Sequence, residues 1–163
     1  MPAILLFVHF EVPGPLDFRL YVDGDFGSVA HVEFWFDALR ARPWLAAYGY
    51  SKSFKQLLAY SGKYPDNYRM NLSSGHKHSP ETVAAIKRLP IVRGDFINVS
   101  LGRKVRQSDH GGRAHNVELR AAFACLDDRK AFTCPGQCGD CTPHGHACGS
   151  PRFAGVPVII ATH

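Results

Sequence analysis

Four cysteines near the carboxyl end of the chain carry the clearest chemical signal in the sequence. Cys134, Cys138, Cys141 and Cys148 follow the spacing C-x3-C-x2-C-x6-C. Four thiolates that converge from a short, glycine-containing backbone suit a tetrahedral zinc ion or an iron–sulfur cluster of the 4Fe-4S type. The residue types leave both metals open. We therefore predict that these four cysteines bind one metal centre.

The cellular location decides between metal binding and the alternatives for these thiols, which are disulfide pairing and thiol redox chemistry. The apolar opening at 1–8 lacks the basic residues of a signal peptide, and no run is long enough to span a membrane. We expect a cytoplasmic protein of a host cell with no membrane partner, where disulfides are disfavoured. His144 and His146 are predicted to be solvated loop residues, with ligation in place of Cys148 as the alternative, whereas Cys125 is predicted to be a small core residue.

Composition fits one globular domain that covers residues 1–163. The chain is 45% hydrophobic and 20% charged, so it can form a core without disulfides or metals as staples. The net charge of +5 permits weak attraction to nucleic acid. Arg103, Lys104 and Arg106 form the one tight basic group, and a solvated loop is the simplest interpretation of it.

Strand and helix patterns alternate along the first hundred residues. Ser28 and Ser79 are predicted N-caps, and Pro43 ends the first helix. The predicted strands are 16–22, 46–50, 68–72 and 95–101, and the predicted helices are 29–42, 54–60 and 80–89. This alternation predicts an α/β fold with a mainly parallel sheet.

The rest of the chain is predicted to contain less regular secondary structure. Residues 102–115 are predicted to be an irregular loop with exposed His110 and His115. The cysteine-rich segment, defined as 133–155, is too rich in glycine and proline for a long helix or strand. A short strand is predicted over 156–161.

Polar residues lie at the ends of three of the predicted strands, at the edge where ligands bind in parallel sheets, and the third group is Asn71 with Ser73 and Ser74. Asp23 and Asp25 flank Gly24, and two carboxylates there could hold an ammonium group, a hydroxyl or Mg²⁺. A turn with an acid that caps a helix is the alternative. Ser51 and Ser53 flank Lys52 and could contact a phosphate or a carboxylate, with a polar loop as the alternative. These loops predict an unidentified small molecule as a ligand.

Several segments together resemble the phage gene-product-88 family, which is related to radical SAM barrels. Arg19-Leu-Tyr-Val-Asp-Gly-Asp-Phe26 is similar to the R-x-H-x-S-G-D-F segment of that family. The resemblance continues in order through Trp35, 40–43, 47–53, 64–67, 71–74, Cys134-Pro135, Cys138-Gly-Asp-Cys141 and 160–163.

The resemblance implies a partial (β/α) barrel, an iron–sulfur centre and a phage or mobile-element origin. It assigns no biochemical activity, so whether the protein is an enzyme stays open and no catalytic residue is named. By analogy with radical SAM enzymes, Gly24 and Asp25 would lie where the amino group of S-adenosylmethionine binds. Ser51 and Ser53 would face the same cavity. A zinc-stabilised module that binds nucleic acid or a host protein is the alternative function.

The sequence also departs from the pattern of the family. Longer members carry another cysteine cluster upstream, whereas no cysteine precedes Cys125 here. Tyr21 and Asp23 replace the usual histidine and serine. We therefore expect an N-terminally shortened member and assign it no radical chemistry, while S-adenosylmethionine stays a candidate ligand.

Overall fold

A computed structural model describes residues 16–21, 24–139, 141–143 and 145–162 of the chain. The opening at 1–8, Asp23 and His144 lie outside the described residues. The strands are β1 Leu16–Leu20, β2 Leu45–Ser51, β3 Tyr68–Ser73, β4 Val92–Val99, β5 Phe132–Thr133 and β6 Val158–Ala161. The α-helices are α1 Val29–Arg40, α2 Phe54–Ala59, α3 Pro80–Ile86 and α4 Arg113–Ala124, and short 3-10 turns cover Gln107–Asp109 and Pro151–Phe153.

The six described strands form one sheet in the order β1-β2-β3-β4-β6-β5, and every neighbouring pair is parallel. The first four strands are neighbours both in the chain and in space, and a helix follows each of the first three. This consecutive order is that of a barrel and not of a doubly wound sheet. Since β1 and β5 are unpaired edges among the described strands, the sheet is a half-barrel. The predicted α/β class and partial barrel are confirmed.

Local signals explain where the helices begin. The Ser28 hydroxyl accepts a hydrogen bond from the His31 N–H at 3.2 Å, and the Ser79 hydroxyl accepts one from the Thr82 N–H at 3.3 Å. Both side chains therefore satisfy donors that a helix leaves free at its start. Both predicted N-caps are confirmed. Helix α1 ends at Arg40, before Pro43.

The two faces of the sheet have different coverings. Helices α1, α2 and α3 pack on one face through Phe36, Leu57, Ile86 and their buried neighbours. The opposite face, called here the inner face, presents Tyr48 and Val158 to the cysteine-rich segment. That segment is irregular as predicted, apart from β5 and the 3-10 turn, and it fills part of the half-barrel instead of extending from its end.

Helix α4 is the main element that the sequence patterns did not predict. It buries His115, Leu119 and Phe123, which are spaced four residues apart. Because the first of these buried positions is a histidine, the apolar pattern of an amphipathic helix is weaker in the sequence. His115 is 5% and His110 is 9% exposed, so the prediction that both are exposed is wrong. Cys125 follows the helix and is exposed, so its prediction as a core residue is also wrong.

Strand β4 begins three residues earlier than predicted, at Val92. The assignment of one domain to 1–163 stays a prediction. None of the helices in the described part of the chain is long and apolar enough to span a bilayer.

Candidate functional site

A cleft of about 600 Å³ opens where the carboxyl ends of the parallel strands meet the cysteine-rich segment. Each of the first four strands contributes polar or aromatic side chains from its end or from the loop after it. The lining residues include Arg19, Tyr21, Tyr50, Lys52, Ser73, Ser74, Phe96 and Asn98 from these strands and loops. Gly24 and Asp25 also line the cleft, together with Cys134 and Cys138 from the cysteine-rich segment. A volume of this size suits a small organic ligand.

Asp25 joins the loop after β1 to the loop after β2. Its Oδ1 accepts hydrogen bonds from the Phe26 N–H and the Ser51 hydroxyl, both at 2.8 Å. Its Oδ2 accepts hydrogen bonds from the Lys52 N–H at 2.6 Å and the Ser53 N–H at 3.1 Å. Because each carboxylate oxygen already has two donors, Asp25 can offer a ligand its negative charge more readily than a free lone pair.

The four residues predicted to bind a cofactor occupy three different positions. Gly24 and Asp25 line the cleft. Ser51 is 1% exposed and lies behind Asp25, where its hydroxyl also accepts a hydrogen bond from the Ser53 N–H at 3.0 Å. Ser53 lines a neighbouring groove and not the cleft. Their role in ligand binding stays a prediction.

The four cysteines predicted to bind metal lie at the cleft and directly behind it. Cys134 and Cys138 line the cleft, and Cys138 is exposed. Cys148 is 8% exposed and packs with Tyr48, Ala147 and Val158, and the half-buried Cys134 and Cys141 pack against the same cluster. The cysteine-rich segment thus places Cys134 and Cys138 along the cleft and holds Cys148 within the packing of the inner face.

Three of the four sulfur atoms accept a hydrogen bond from a donor among the described residues. Arg19 Nη1 donates to Cys138 Sγ at 3.2 Å. The N–H groups of Gly136 and Ala147 donate to Cys134 Sγ and Cys141 Sγ, both at 3.4 Å. Tyr50 packs against the cluster that contains Cys148. Hydrogen bonds of this kind stabilise thiolates and tune the properties of metal–thiolate centres.

Burial and mutual repulsion hold the inner thiols in the neutral form when no cation is bound. The pKa of Cys148 is raised to about 11, chiefly by burial and also by the nearby Cys134 and Cys141, while the Tyr50 hydroxyl and the charge of Arg93 act in the opposite direction. Burial likewise raises the pKa of Cys134, with Cys141 and Cys138 adding to the shift. The pKa values of Cys134 and Cys148 thus depend on neighbouring thiols, and a bound cation would offset this repulsion.

The donor set fits a thiophilic metal in its chemistry. Soft sulfur ligands select zinc, copper or iron–sulfur clusters, and coordination would deprotonate the thiols. Within the described residues, which leave out Asp140 and His144, no three His, Cys, Asp or Glu side chains lie close enough together to hold a metal ion. The metal centre therefore stays a prediction that requires the sulfur atoms to draw closer together.

A buried polar network, which the sequence patterns did not reveal as such, holds the cysteine-rich segment to the sheet. Arg93 is 2% exposed and donates from Nε to Asn71 Oδ1 at 2.5 Å. Its Nη1 donates to the carbonyl oxygens of Phe153 and Val156, both at 2.8 Å. Asn71 Nδ2 donates to the Cys148 carbonyl at 3.0 Å. The available signal was Asn71, a polar residue within the apolar strand β3.

His146 is engaged with neighbouring groups and is not a solvated loop residue. Its ring packs on the ring of Tyr48 with centroids 4.3 Å apart, and its Nδ1 accepts a hydrogen bond from the Gly149 N–H at 3.2 Å. Its Nε2 lies 3.3 Å from a carboxylate oxygen of Asp17. These contacts direct the ring to β1 and β2.

The basic group at 103–106 is partly neutralised. Arg103 forms an ion pair with Glu118, with Nη2 and Oε2 2.5 Å apart, and a longer one with Asp109 at 3.6 Å. Exposed pairs such as these contribute little to stability, but they leave less charge for an anionic partner.

Comparisons with known proteins identify a family for almost the whole chain. The model of the family described as Gene product 88 matches residues 9–156, which include β1 to β5 and all four predicted metal ligands. No curated protein and no solved structure matches the chain.

Proposed function

The chain belongs to the gene product 88 family, and we propose that it is a metalloprotein in which a four-cysteine centre forms one wall of a small-molecule cleft. Cys134, Cys138, Cys141 and Cys148 would hold an iron–sulfur cluster or a zinc ion. The other walls come from the strand ends and from the loop that carries Gly24 and Asp25.

The observation that carries this proposal is that Cys134 and Cys138 line the same cleft as Gly24 and Asp25. A purely structural metal site does not need to border a ligand cleft, and its coordination positions are usually all filled by protein ligands. Here two of the thiols border a cleft of about 600 Å³ that is also lined by the carboxylate residue Asp25. A ligand in this cleft would be in reach of both these thiols and Asp25.

The protein groups around the cleft define what a ligand would meet. Arg19 and Lys52 supply positive charge, Asp25 supplies negative charge, and Ser73 with Asn98 supplies neutral hydrogen-bonding groups. The ring centroids of Tyr50 and Phe96 lie 4.6 Å apart, and the two rings add apolar surface to the cleft. Such a lining suits a small ligand with both positive and negative groups, and S-adenosylmethionine is one candidate of that class. A cluster bound here would supply electrons, and zinc would supply a Lewis acid.

Metal and sulfide analysis of anaerobically purified protein, with an absorption spectrum, tests the proposal. Iron with sulfide and broad absorption near about 400 nm is expected for an iron–sulfur cluster. A ligand titration with S-adenosylmethionine is then expected to perturb that spectrum, because the ligand and the cluster would share the cleft. Protein from metal-supplemented cells that holds neither iron nor zinc would overturn the proposal.

A second candidate function is a zinc-stabilised binding module for nucleic acid or a host protein. The packing of Cys148 and Ala147 against Tyr48 and Val158 favours it, because a metal there would tie an irregular segment to the sheet. One colourless zinc per chain and a cleft that binds no small ligand would support this function over the first.

A further inference from the structure

A second groove adjoins the cleft and involves none of the cysteines. It has a volume of about 700 Å³ and lies between the loop after β2 and the loop after β3. Lys52, Lys55 and Lys77 line it together with His76 and His78. We call it the lysine groove.

Specific contacts fix the two walls of the lysine groove against each other. His78 Nε2 lies 2.7 Å from the Lys52 carbonyl oxygen and joins the two loops. The rings of His78 and Phe54 stack with centroids 4.6 Å apart, and His76 packs beside them at 4.9 Å from Phe54. Because Phe54 is fully buried, both histidines rest on the core. The groove is therefore an ordered part of the fold, and its lysines project from an anchored surface.

The charge of the lysine groove is one-sided. Among the described residues that line it, three are lysines and none is acidic. Burial lowers the pKa of His76, and the positive charges of His78, Lys52 and Lys87 lower it further against the opposing Asp95. Asp95 itself pairs with Lys87 and Arg129, so little of its charge reaches the groove. His76 Nδ1 is buried and has no hydrogen-bond partner among the described residues.

We propose that the lysine groove binds the phosphate groups of a small phosphate ester of nucleotide size. Lysine ammonium groups bind phosphate as point charges, and the Ser53 and Gln56 side chains add neutral donors. The volume fits one small ligand. A nucleic acid strand is the less favoured occupant, because a strand requires basic groups spread over many phosphates and Arg103 is already paired.

Lys52 connects the lysine groove to the cleft. Lys52 lines both the cleft and the lysine groove, and its Nζ is the atom nearest to where a side chain on Gly75 would begin, at 3.6 Å. A ligand with its phosphates in the lysine groove would thus lie next to the cleft. The proposal does not require the metal centre, so it can fail or succeed independently of the proposed function.

Isothermal titration calorimetry with inorganic pyrophosphate tests the lysine groove. We expect saturable binding at one site, weakened by about fivefold or more in Lys55→Gln and in Lys77→Gln, since each removes one charged contact. Both lysines are exposed, so the substitutions leave the core intact. Lys104→Gln makes the same change of charge at an exposed site far along the chain and is expected to leave the affinity unchanged.

Three outcomes would overturn the proposal. The first is no saturable binding of pyrophosphate at low ionic strength. The second is an equal loss of affinity in Lys104→Gln, which would indicate attraction to the net charge alone. The third is a single-stranded oligonucleotide that binds far more tightly than a mononucleotide, with a steep salt dependence and a loss of affinity in Lys104→Gln, which would indicate a nucleic-acid surface.

Discussion

Arg19 Nη1 donates a hydrogen bond to Cys138 Sγ at 3.2 Å, although 119 positions separate the two residues in the sequence. The guanidinium group also lies 4.9 Å above the centre of the Tyr50 ring. Arg19 therefore joins β1 to the cysteine-rich segment and forms part of the cleft wall. A positive charge at this distance from a sulfur atom would favour an electron added to a cluster.

Arg19→Gln is expected to lower the reduction potential of an iron–sulfur centre, because it removes a positive charge that stabilises the reduced form. If the centre is zinc, we expect faster release of the metal to a chelator, because the Cys138 sulfur loses the hydrogen bond from Arg19. A spectroscopic redox titration or a chelator assay measures the effect. Arg113→Gln, at an exposed position at the start of α4, is the matched control. Equal behaviour of both variants would contradict a role for Arg19 at the metal centre.

Arg93→Met is expected to lower the free energy of unfolding by about 3 kcal/mol or more, because it leaves the buried Asn71 Oδ1 without its donor and removes one donor from each of the part-buried Phe153 and Val156 carbonyl oxygens. Arg93→Lys is expected to recover only part of this loss, since one ammonium group cannot reproduce the planar fork of donors. Urea unfolding measures both changes. The matched control is Arg88→Met, at an exposed site, which is expected to shift stability by about 0.5 kcal/mol or less.

The backbone of Gly24 has a φ of +87°, and a side-chain carbon placed there would meet no atom within 4 Å. Gly24→Ala is therefore expected to cost about 1 kcal/mol through backbone strain and not through a clash. At Gly27 the backbone is not in the left-handed region, and the same carbon would make an ordinary contact with His31 at 3.6 Å. Gly27→Ala is expected to be neutral or slightly stabilising. Thermal unfolding compares the two variants, and an equal cost at both positions would contradict the strain at Gly24.

Features that depend on a few neighbouring residues were predictable from the sequence. The caps at Ser28 and Ser79 and the alternating strands required only local chemistry, and the order of elements then indicated the parallel sheet. The family resemblance, carried by short motifs such as 19–26, is confirmed by a match over 9–156. The cysteine spacing correctly indicated a segment with a candidate site, since Cys134 and Cys138 line the cleft.

Features that depend on long-range contacts were not predictable. The role of Asp25 as an acceptor for the loop after β2 follows from the parallel pairing that places Leu20 beside Gly49. The burial of Arg93 follows from the return of the chain through Phe153 and Val156. His115 occupies an apolar position in α4, and its burial depends on the packing of that helix against the sheet. Each of these requires neighbours that the local pattern does not contain.

Cys138→Ser and Cys141→Ser are each expected to lose stoichiometric metal and to reduce solubility, because metal binding contributes directly to the folding of a segment with few apolar residues. Elemental analysis and the soluble yield measure the two effects. Cys125→Ser provides the matched control, since Cys125 is exposed at the end of α4 and its thiol donates to the Ala121 carbonyl. This control variant is expected to keep both the metal and the yield. Full metal content in both Cys138→Ser and Cys141→Ser would contradict the four-cysteine site, whereas loss of metal from all three variants would point to a general effect of cysteine replacement.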